Sequence, residues 1–326
     1  RQAAHWGGLP DEIGSYTVNK VCGSGLKAVM LAAQAIRAGD HEVIVAGGME
    51  SMSNAPYLLP NARSGYRLGH GTLVDAMVAD GLTEVYNNYH MGVAAELIVE
   101  KYKVTREEQD VYALGSQHKA AAAIQAGKFK AEIVPVQVAQ PKGATTTVEN
   151  DEGPRGDTTL EGLAKLKPAF KKDGTVTAGN APSVNDGAGA FVVMSEKRAK
   201  ELGKTPMVRI VDYATGGTDP QWLFEAPIVA VRKLMKKMGV GIGHWDLIEA
   251  NEAFSVQALV DGRELGWDWD RVNVNGGAVA IGHPIGASGA RVLTTLLYAM
   301  KDRGAKTGMA TLCLGGGNAV AMAVES

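Results

Sequence analysis

The sequence has few cysteines and no long apolar run. Only two of its 326 residues are cysteine, too few for a disulfide scaffold and typical of a reducing compartment. No CxxC pair or Cys/His cluster offers a metal site. No apolar run approaches the roughly 20 residues that cross a bilayer, and no charged segment followed by an apolar one opens the chain. We therefore predict a cytoplasmic protein with no metal and no membrane partner.

A strong charge of either sign is also missing. The chain has 33 Lys and Arg against 35 Asp and Glu, a formal net charge of -2. Binding to nucleic acid or to an anionic membrane would favour a basic excess. We therefore expect a small-molecule partner and no nucleic acid. Glycine, by contrast, is abundant at 41 residues, and it clusters at the ends of apolar runs, where loops close around substrates.

The first four residues, Arg1 to Ala4, read like the middle of a helix. Neither an initiator methionine nor a capping residue stands before them. We expect that a further segment precedes Arg1 in the whole protein.

One cysteine, Cys22, lies where an extended run gives way to a helix. Apolar residues recur after it at helical spacing, namely Leu26, Val29, Met30, Ala33 and Ile36. A thiol at a helix N-terminus is stabilised as the thiolate by the helix dipole and by unpaired N–H groups. We therefore predict an acidic, reactive nucleophile. A small buried core cysteine is the commoner state across proteins, so this stretch alone leaves both interpretations open.

The pattern of glycines and apolar runs around Cys22 recurs near the C-terminus. A helix running to about Gly39 is followed by a short buried strand over 41–48, which ends in glycines. Ser288-Gly289-Ala290 repeats Ser24-Gly25-Leu26 after 264 positions, and the strand at 311–314 repeats the strand at 43 after 268. A nearly constant offset across two elements predicts two α/β halves built on one plan.

A different kind of sequence lies between the halves. It combines an irregular stretch rich in Pro and Gly, a helix over 93–102, a second helix over 105–126 and a polar tract over 140–156. Thr105 with Glu108 has the spacing of a capping box. A strand over 191–194, a helix over 196–202 and a strand over 207–211 follow. We predict a first half made of 1–53 plus 184–204, an inserted domain over 54–183 and a second half over 205–326.

Three further stretches carry residues suited to catalysis. Asn251 ends an apolar strand, His283 lies in a loop between glycines with Pro284 beside it, and Cys313 ends a strand before three glycines. Singly these residues could be a helix cap, a surface histidine and a packed core thiol. Together with Cys22 they make a nucleophile, its base and a second thiol able to carry a proton, while the glycine loops supply N–H donors for an oxyanion.

These runs resemble the thiolase family, and within it the biosynthetic acetyl-CoA acetyltransferases. The resemblance covers essentially the whole chain and rests on NKVCGSGLKAV, VAGGMESMS, ANEAF, NVNGGAVAIGHPIGASGARV and CLGGGNA. It implies an α/β thiolase fold, with two duplicated halves in a layered αβαβα arrangement and an inserted loop domain. The family's first strand–helix unit has no counterpart here, in agreement with the expected upstream segment.

The resemblance also implies a role for each catalytic residue. Cys22 matches the nucleophile that becomes acylated, and His283 the histidine that activates it. Cys313 matches the cysteine that takes a proton from the α-carbon of the second acetyl-CoA. Asn251 matches the asparagine whose bound water forms one oxyanion hole with His283, while the N–H groups of Cys22 and Gly315 match the other. Two holes are needed because two thioester carbonyls acquire negative charge.

In the family the inserted domain binds coenzyme A, which with acetyl-CoA is a substrate and not a tightly bound cofactor. The matching positions line the pantetheine channel or lie near the adenine nucleotide: Leu82, His90, Met91, Ala253 and Phe254 for the channel, and Arg155 for the nucleotide. Without the family, core packing would explain Leu82 and Met91, and a solvated charge would explain Arg155.

The coenzyme A stretch TAGNAPSVNDG departs from the family at one position. Pro182 stands where a serine usually meets coenzyme A, and Ser183 is displaced by one residue. Because proline has neither a hydroxyl nor an N–H, we expect Ser183 to take over the contact, with only a modest change in affinity. Residues 53–72 resemble the loop that joins thiolase dimers into tetramers, which implies a homodimer or homotetramer; a mobile surface loop is the alternative.

The implied reaction is the reversible Claisen condensation of two acetyl-CoA to acetoacetyl-CoA and coenzyme A, by a ping-pong route. A degradative 3-ketoacyl-CoA thiolase acting on longer chains would use the same residues. The alternative from another class is an acyl-CoA or lipid carrier that kept the fold and lost the chemistry. The presence of all four catalytic side chains argues against this alternative. Ketoacyl synthases have a histidine in place of the second cysteine, so Cys313 argues against them.

Overall fold

The computed structural model describes residues 1–326, apart from the side chain of Lys142. The α-helices are α1 (Gln2–Trp6), α2 (Ser24–Ala38), α3 (Met91–Tyr102), α4 (Arg106–Gln125), α5 (Leu160–Ala164), α6 (Glu196–Glu201), α7 (Ala226–Met238), α8 (Ser255–Leu265), α9 (Ala278–Ile281) and α10 (Ile285–Arg303). The strands are β1 (Val43–Ser51), β2 (Tyr57–Leu58), β3 (Val74–Asp75), β4 (Thr83–Glu84), β5 (Tyr89–His90), β6 (Val136–Ala139), β7 (Thr145–Val148), β8 (Asp186–Met194), β9 (Arg209–Gly217), β10 (Leu247–Ala250), β11 (Thr307–Leu314) and β12 (Asn318–Glu325).

Two larger sheets organise the molecule. β1 pairs with β8 in an antiparallel sheet, although residues 52–185 separate the two strands in the chain. The second sheet has the order β10-β11-β12-β9, in which β10 and β11 run parallel and the other pairs antiparallel. Short two-stranded pairs, β2 with β3, β4 with β5 and β6 with β7, all lie within the stretch between β1 and β8.

Helices α2 and α10 lie between these two sheets. Each packs against β1 and β8 on one side and against strands of the second sheet on the other, and the two helices contact each other. Helix α7 covers the opposite face of the second sheet, against β9 and β12. Four layers therefore stack as sheet, helices, sheet, helix, one fewer than in the predicted αβαβα arrangement, since the outer face of the first sheet exposes Val43, Val45 and Val192.

The predicted internal repeat is visible where α2 and α10 cross. A β-carbon built on Gly25 would lie 2.5 Å from the backbone nitrogen of Ala290, and one built on Gly289 would lie 2.4 Å from the backbone nitrogen of Leu26. The two glycines are the repeat-related residues of the two halves, so equivalent positions face each other. Each helix is followed by an antiparallel strand pair, β1 with β8 and β11 with β12.

Replacing Gly289 by alanine should lower the free energy of unfolding by about 1–3 kcal/mol, because the new methyl group overlaps backbone that cannot move aside. Gly115→Ala in α4 is the matched control: a β-carbon there meets nothing within 4 Å, so it should stabilise the protein by roughly 0.5–1 kcal/mol. Urea denaturation of both variants checks the pair. Equal effects would contradict the close helix crossing.

Most predicted local elements are confirmed, with shifted ends. Helix α2 ends at Gly39, which has φ 85°, and the capping box of Thr105 with Glu108 is formed. Strand β8 begins five residues before the predicted 191. Helix α10 begins at Ile285, with Pro284 at its N-cap position.

Candidate active site

Cys22 lies in a single 3₁₀ turn, Val21–Gly23, immediately before α2. Val21 has φ 47°, a left-handed conformation that is costly for a β-branched residue. Gly23 packs on the end of β11, since a β-carbon there would lie 2.2 Å from Leu314 Cδ2. The turn is thus pressed against the second sheet, and the thiol is presented beside the loop that joins β11 to β12.

The prediction of an acidic Cys22 thiol is wrong. Cys22 is half-buried against the apolar core of the central layer, and the resulting desolvation raises the pKa of its thiol to about 12, which outweighs the lowering by the nearby backbone N–H groups of Cys22 and Gly315. The free-energy cost of desolvating a thiolate is larger than the stabilisation that a helix end and two amide groups provide. The same two N–H groups are candidate donors to an oxyanion on an acyl group bonded to Cys22.

Alkylation of Cys22 by iodoacetamide should therefore be slow near pH 7 and should rise about tenfold per pH unit to at least about pH 9, as the thiolate fraction rises below the pKa. Peptide mapping after timed reaction at each pH measures the rate at Cys22 separately from Cys313. A plateau reached below about pH 8 would show instead an acidic thiol paired with a cation.

His283 is held at both its backbone and its ring. Its backbone N–H donates to Asn185 Oδ1 at 3.1 Å. Its Nδ1 lies 2.6 Å from Ser288 Oγ, and Ser288 Oγ donates to the carbonyl of Pro284 at 2.9 Å. With the serine proton so engaged, Nδ1 is the donor and Nε2 carries the lone pair. Burial, with a smaller contribution from Arg291, lowers the pKa of His283 to about 4, so the ring is neutral at physiological pH and able to accept a proton.

Asn251 faces the other ring nitrogen of His283. Its Nδ2 lies 3.4 Å from His283 Nε2, and its backbone N–H donates to the carbonyl of Thr311 on β11 at 3.0 Å. Three residues separate Asn251 from Ser255, where α8 begins, and the N-cap of that helix is Phe254. Asn251 is therefore not a helix cap. Its buried Oδ1 has no hydrogen-bond partner among the described residues.

Cys313 is the penultimate residue of β11, and its side chain is 1% exposed. Burial first, and then repulsion from the ionised forms of Cys22 and Asp261, raises the pKa of Cys313 well above its usual value. The structure thus brings the two thiols near each other on either side of the Gly315 turn. Both thiols are therefore protonated near pH 7.

Part of the predicted coenzyme A set borders this turn. A β-carbon on Gly315 would lie 3.5 Å from Met91 Cε, and the Met91 N–H donates to the carbonyl of Leu82 at 2.8 Å. His90 caps α3 by accepting from the Gly92 N–H, and its ring stacks on Phe170 at 4.8 Å.

Phe254 extends the same apolar group. Phe170 meets Phe254 edge to face, with ring centroids 6.1 Å apart, and Ala253 and Phe254 are both buried. Phe254 also meets Phe224 edge to face at 5.3 Å. His90 and Phe254 are therefore joined through Phe170 in one group of packed rings, and Ala253 is buried next to Phe254 in the chain.

The two remaining predicted contacts lie at the surface. Arg155 is exposed, and its backbone N–H donates to Gln117 Oε1 at 2.7 Å. Ser183 is exposed, and its hydroxyl donates to Asn185 Oδ1 at 3.0 Å, the oxygen that also accepts from the His283 N–H. Ser183 is thus connected to the histidine loop through Asn185.

Sequence reasoning assigned no role to Asn185 and Ser288. Ser288 follows His283 by five residues in the first turn of α10, and this spacing was a usable signal. Asn185 lies 98 residues before His283, so nothing local pointed to it. Among the described residues no group of three or more His, Cys, Asp and Glu side chains could hold a metal ion, and no helix is long and apolar enough to cross a membrane.

Comparisons with known proteins give a consistent picture. Residues 1–197 match the family model for the thiolase N-terminal domain, and residues 204–326 match that for the C-terminal domain. An acetyl-CoA acetyltransferase of Pseudomonas aeruginosa is 59% identical over 322 residues, which is 99% of this chain and 82% of that protein. One of Cupriavidus necator is 55% identical over 325 residues, 100% of this chain and 83% of that protein.

A solved structure is equally similar. The crystal structure of the Bacillus anthracis acetyl-CoA acetyltransferase superposes with a TM-score of 0.96 at 45% identity, covering 100% of this chain and 82% of that one. The predicted α/β fold with its duplicated halves is thereby confirmed. The domain boundaries and the roles of individual residues stay predictions.

Proposed function

The chain belongs to the thiolase family, and from that premise we propose that it is an acetyl-CoA C-acetyltransferase, which condenses two acetyl-CoA to acetoacetyl-CoA and coenzyme A. One observation supports the proposal most directly. The backbone N–H groups of Cys22 and Gly315 both lower the pKa of the Cys22 thiol and so lie close to its sulfur, while Asn251 Nδ2 lies 3.4 Å from Nε2 of the neutral His283 ring. These are two separate sites for negative charge, as two reacting thioester carbonyls require.

In the first half-reaction the Cys22 sulfur attacks the thioester carbonyl of acetyl-CoA. The Cys22 proton passes to His283 Nε2 as the new carbon–sulfur bond forms, because a thiol with a pKa of about 12 is not ionised beforehand. The N–H groups of Cys22 and Gly315 donate to the oxyanion. When the tetrahedral intermediate collapses, coenzyme A leaves as a thiolate and takes the proton of Cys313.

In the second half-reaction the Cys313 thiolate removes a proton from the α-carbon of a second acetyl-CoA. The enolate oxygen accepts hydrogen bonds from protonated His283 and from a water held by Asn251. The enolate carbon attacks the acetyl carbonyl on Cys22, and the Cys22 sulfur leaves and takes the proton back from His283. Cys22, His283 and Cys313 thereby return to their starting protonation states.

Coenzyme A is a substrate here, and we propose that no cofactor is tightly bound. Its pantetheine arm would lie along the apolar surface made by Leu82, His90, Met91, Ala253 and Phe254. Arg155 would meet the nucleotide, since an exposed guanidinium suits a phosphate. Ser183 would replace the serine that Pro182 displaces. Support for this placement comes from the packing of Met91 beside Gly315.

The decisive experiment mixes the protein with acetyl-CoA and looks by intact mass and peptide mapping for one acetyl group on Cys22. Rates across 3-ketoacyl-CoA substrates of increasing chain length follow. Acetylation with a preference for acetoacetyl-CoA supports the proposal. A clear preference for longer chains would favour a degradative thiolase, and binding without acetylation would favour a carrier.

We also propose a cytoplasmic homotetramer joined through residues 53–72. This segment exposes large apolar side chains that a partner could cover, among them Tyr57, Leu58, Leu59, Tyr66 and Leu68. Light scattering of the protein with and without this loop tests the assembly: the shortened protein should be a dimer.

A further inference from the structure

Glu252 is a buried carboxylate next to Asn251, and the reaction described above does not use it. It is 1% exposed. Its Oε1 accepts from the Tyr112 hydroxyl at 2.9 Å and from Asn273 Nδ2 at 3.0 Å. Its Oε2 accepts from the Ser116 hydroxyl at 2.8 Å and from the Val279 N–H at 2.9 Å. Four donors therefore converge on one side chain.

These donors come from separate parts of the chain. Tyr112 and Ser116 belong to α4 of the inserted stretch, and Val279 lies in the short helix α9. Asn273 also brackets the residue before Asn251, since its Oδ1 accepts from the Ala250 N–H at 2.8 Å and its Nδ2 donates to the Ala250 carbonyl at 2.9 Å. The carboxylate thus joins the end of β10, α4 and α9 at one point.

The backbone closes tightly around the Glu252 carboxylate. A β-carbon on Gly277 would lie 2.3 Å from Glu252 Cδ, although Gly277 has an ordinary φ of −144° that any residue can adopt. The Gly277 N–H in turn donates to Ser116 Oγ at 3.1 Å. Glycine is needed here for contact with the carboxylate and not for its conformation.

We propose that Glu252 is a positioning residue that sets the distance between Asn251 and His283, and thereby the oxyanion site for the enolate. Glu252 is bonded directly to Asn251 in the chain, and its partner Val279 precedes His283 by four residues across α9 and Gly282. The inference rests on the proposed function, since it assigns Glu252 to the condensation half of that reaction.

Both side-chain oxygens of Glu252 must be hydrogen-bond acceptors, because each of them faces two donors. Glutamine has one acceptor and one donor end, so its NH₂ would face either Tyr112 and Asn273 or Ser116 and Val279. The backbone N–H of Val279 cannot turn away, and Asn273 is fixed because its own oxygen already accepts from Ala250. In either orientation of the amide a fixed donor loses its acceptor, and the two loops should move apart.

Glu96 provides a matched control. It is 3% exposed, and its Oε1 accepts from the N–H groups of Thr175 and Val176, both at 2.8 Å. Its Oε2 meets only the Thr175 hydroxyl, at 3.4 Å, which can accept as well as donate. Glutamine therefore suits this position, whose side-chain hydrogen bonds go to Thr175 and Val176 and not to the loops that carry Asn251 and His283.

The test compares Glu252→Gln with Glu96→Gln in the full chain. We expect kcat for condensation to fall about 30-fold in Glu252→Gln, with KM for acetyl-CoA within about threefold and Cys22 still acetylated. Glu96→Gln should keep kcat within about threefold. Equal losses in the two variants, or a loss confined to KM, would overturn the proposal. Failure of the unaltered protein to acetylate Cys22 would instead overturn the proposed function.

A double-mutant cycle with Asn251→Ala separates positioning from a general loss of stability. If Glu252 acts through Asn251, its replacement should cost little more once the amide is gone, so the two effects on kcat should not multiply. Multiplying effects would overturn the proposal. If Glu252→Gln does not fold, the same cycle with Tyr112→Phe, which removes one donor without changing shape, gives the same two outcomes with an expected single effect of about threefold.

Discussion

Replacing Cys22 by alanine is expected to abolish both acetylation and condensation, with kcat lowered by more than about a thousandfold. The acetyl group must be carried covalently between the two half-reactions, and no other thiol has two N–H donors facing it. Cys313 cannot substitute for Cys22, because it is 1% exposed at the end of β11 and burial raises its pKa well above the usual value. Radiolabelled acetyl-CoA followed by quenching and peptide mapping measures the bound acetyl group directly.

Cys22→Ser is the informative companion to that variant. It keeps the shape of the turn and a weaker nucleophile, so slow acetylation without useful turnover should remain. Thermal melting of both variants establishes that the turn at Val21–Gly23 still folds. Condensation at more than about one per cent of the normal kcat by Cys22→Ala would contradict a covalent route through this residue.

The sequence predicted the fold to the extent that local patterns specify it. Thr105 with Glu108 predicted a capping box because both partners lie within one turn. The recurring glycines predicted two related halves, and the repeat-related Gly25 and Gly289 both lie where α2 and α10 pack closely against each other. Element ends were less predictable: β8 begins earlier than its apolar run, since glycine and alanine there pair with β1 although they carry no strand pattern.

The roles of residues in the candidate site were predictable where they follow from residue type. The pKa of the nucleophile was not predictable, because it depends on burial in the folded protein. Cys22 and His283 were identified as nucleophile and base, but a helix end predicted an acidic thiol. The structure packs that half-buried thiol against the core of the central layer, so desolvation prevails and its pKa rises to about 12. Tertiary burial of this kind has no signature in the local sequence.

The residues that hold the catalytic loops in place could not be predicted from the sequence for a related reason. Glu252 receives donors from Tyr112 and Ser116, which lie 140 and 136 residues away in the chain. A carboxylate inside the ANEAF run would ordinarily be placed on a solvated surface. Only the folded arrangement, in which α4 of the inserted stretch reaches the catalytic loops, shows that the charge is buried and matched by four donors.

The second large prediction concerns Cys313→Ala, which should still be acetylated on Cys22 but should condense more than about a thousandfold more slowly. Acetylation needs only Cys22, its base and the two N–H donors, and the departing coenzyme A can take a proton from His283 or from solvent. Condensation needs a base at the α-carbon, and the alanine has none. The acetyl-enzyme should therefore accumulate in this variant.

Exchange of the methyl protons of acetyl-CoA with deuterated water isolates the step assigned to Cys313. The unaltered protein should incorporate deuterium into the methyl group, whereas Cys313→Ala should become acetylated without incorporating it. Cys313→Ser preserves most of the packing within β11 and should behave like the alanine variant, because a hydroxyl is too weakly acidic to form the required base. If both variants lost acetylation in parallel with condensation, Cys313 would be needed to complete the first half-reaction as well, and the division of labour between the two thiols would be wrong.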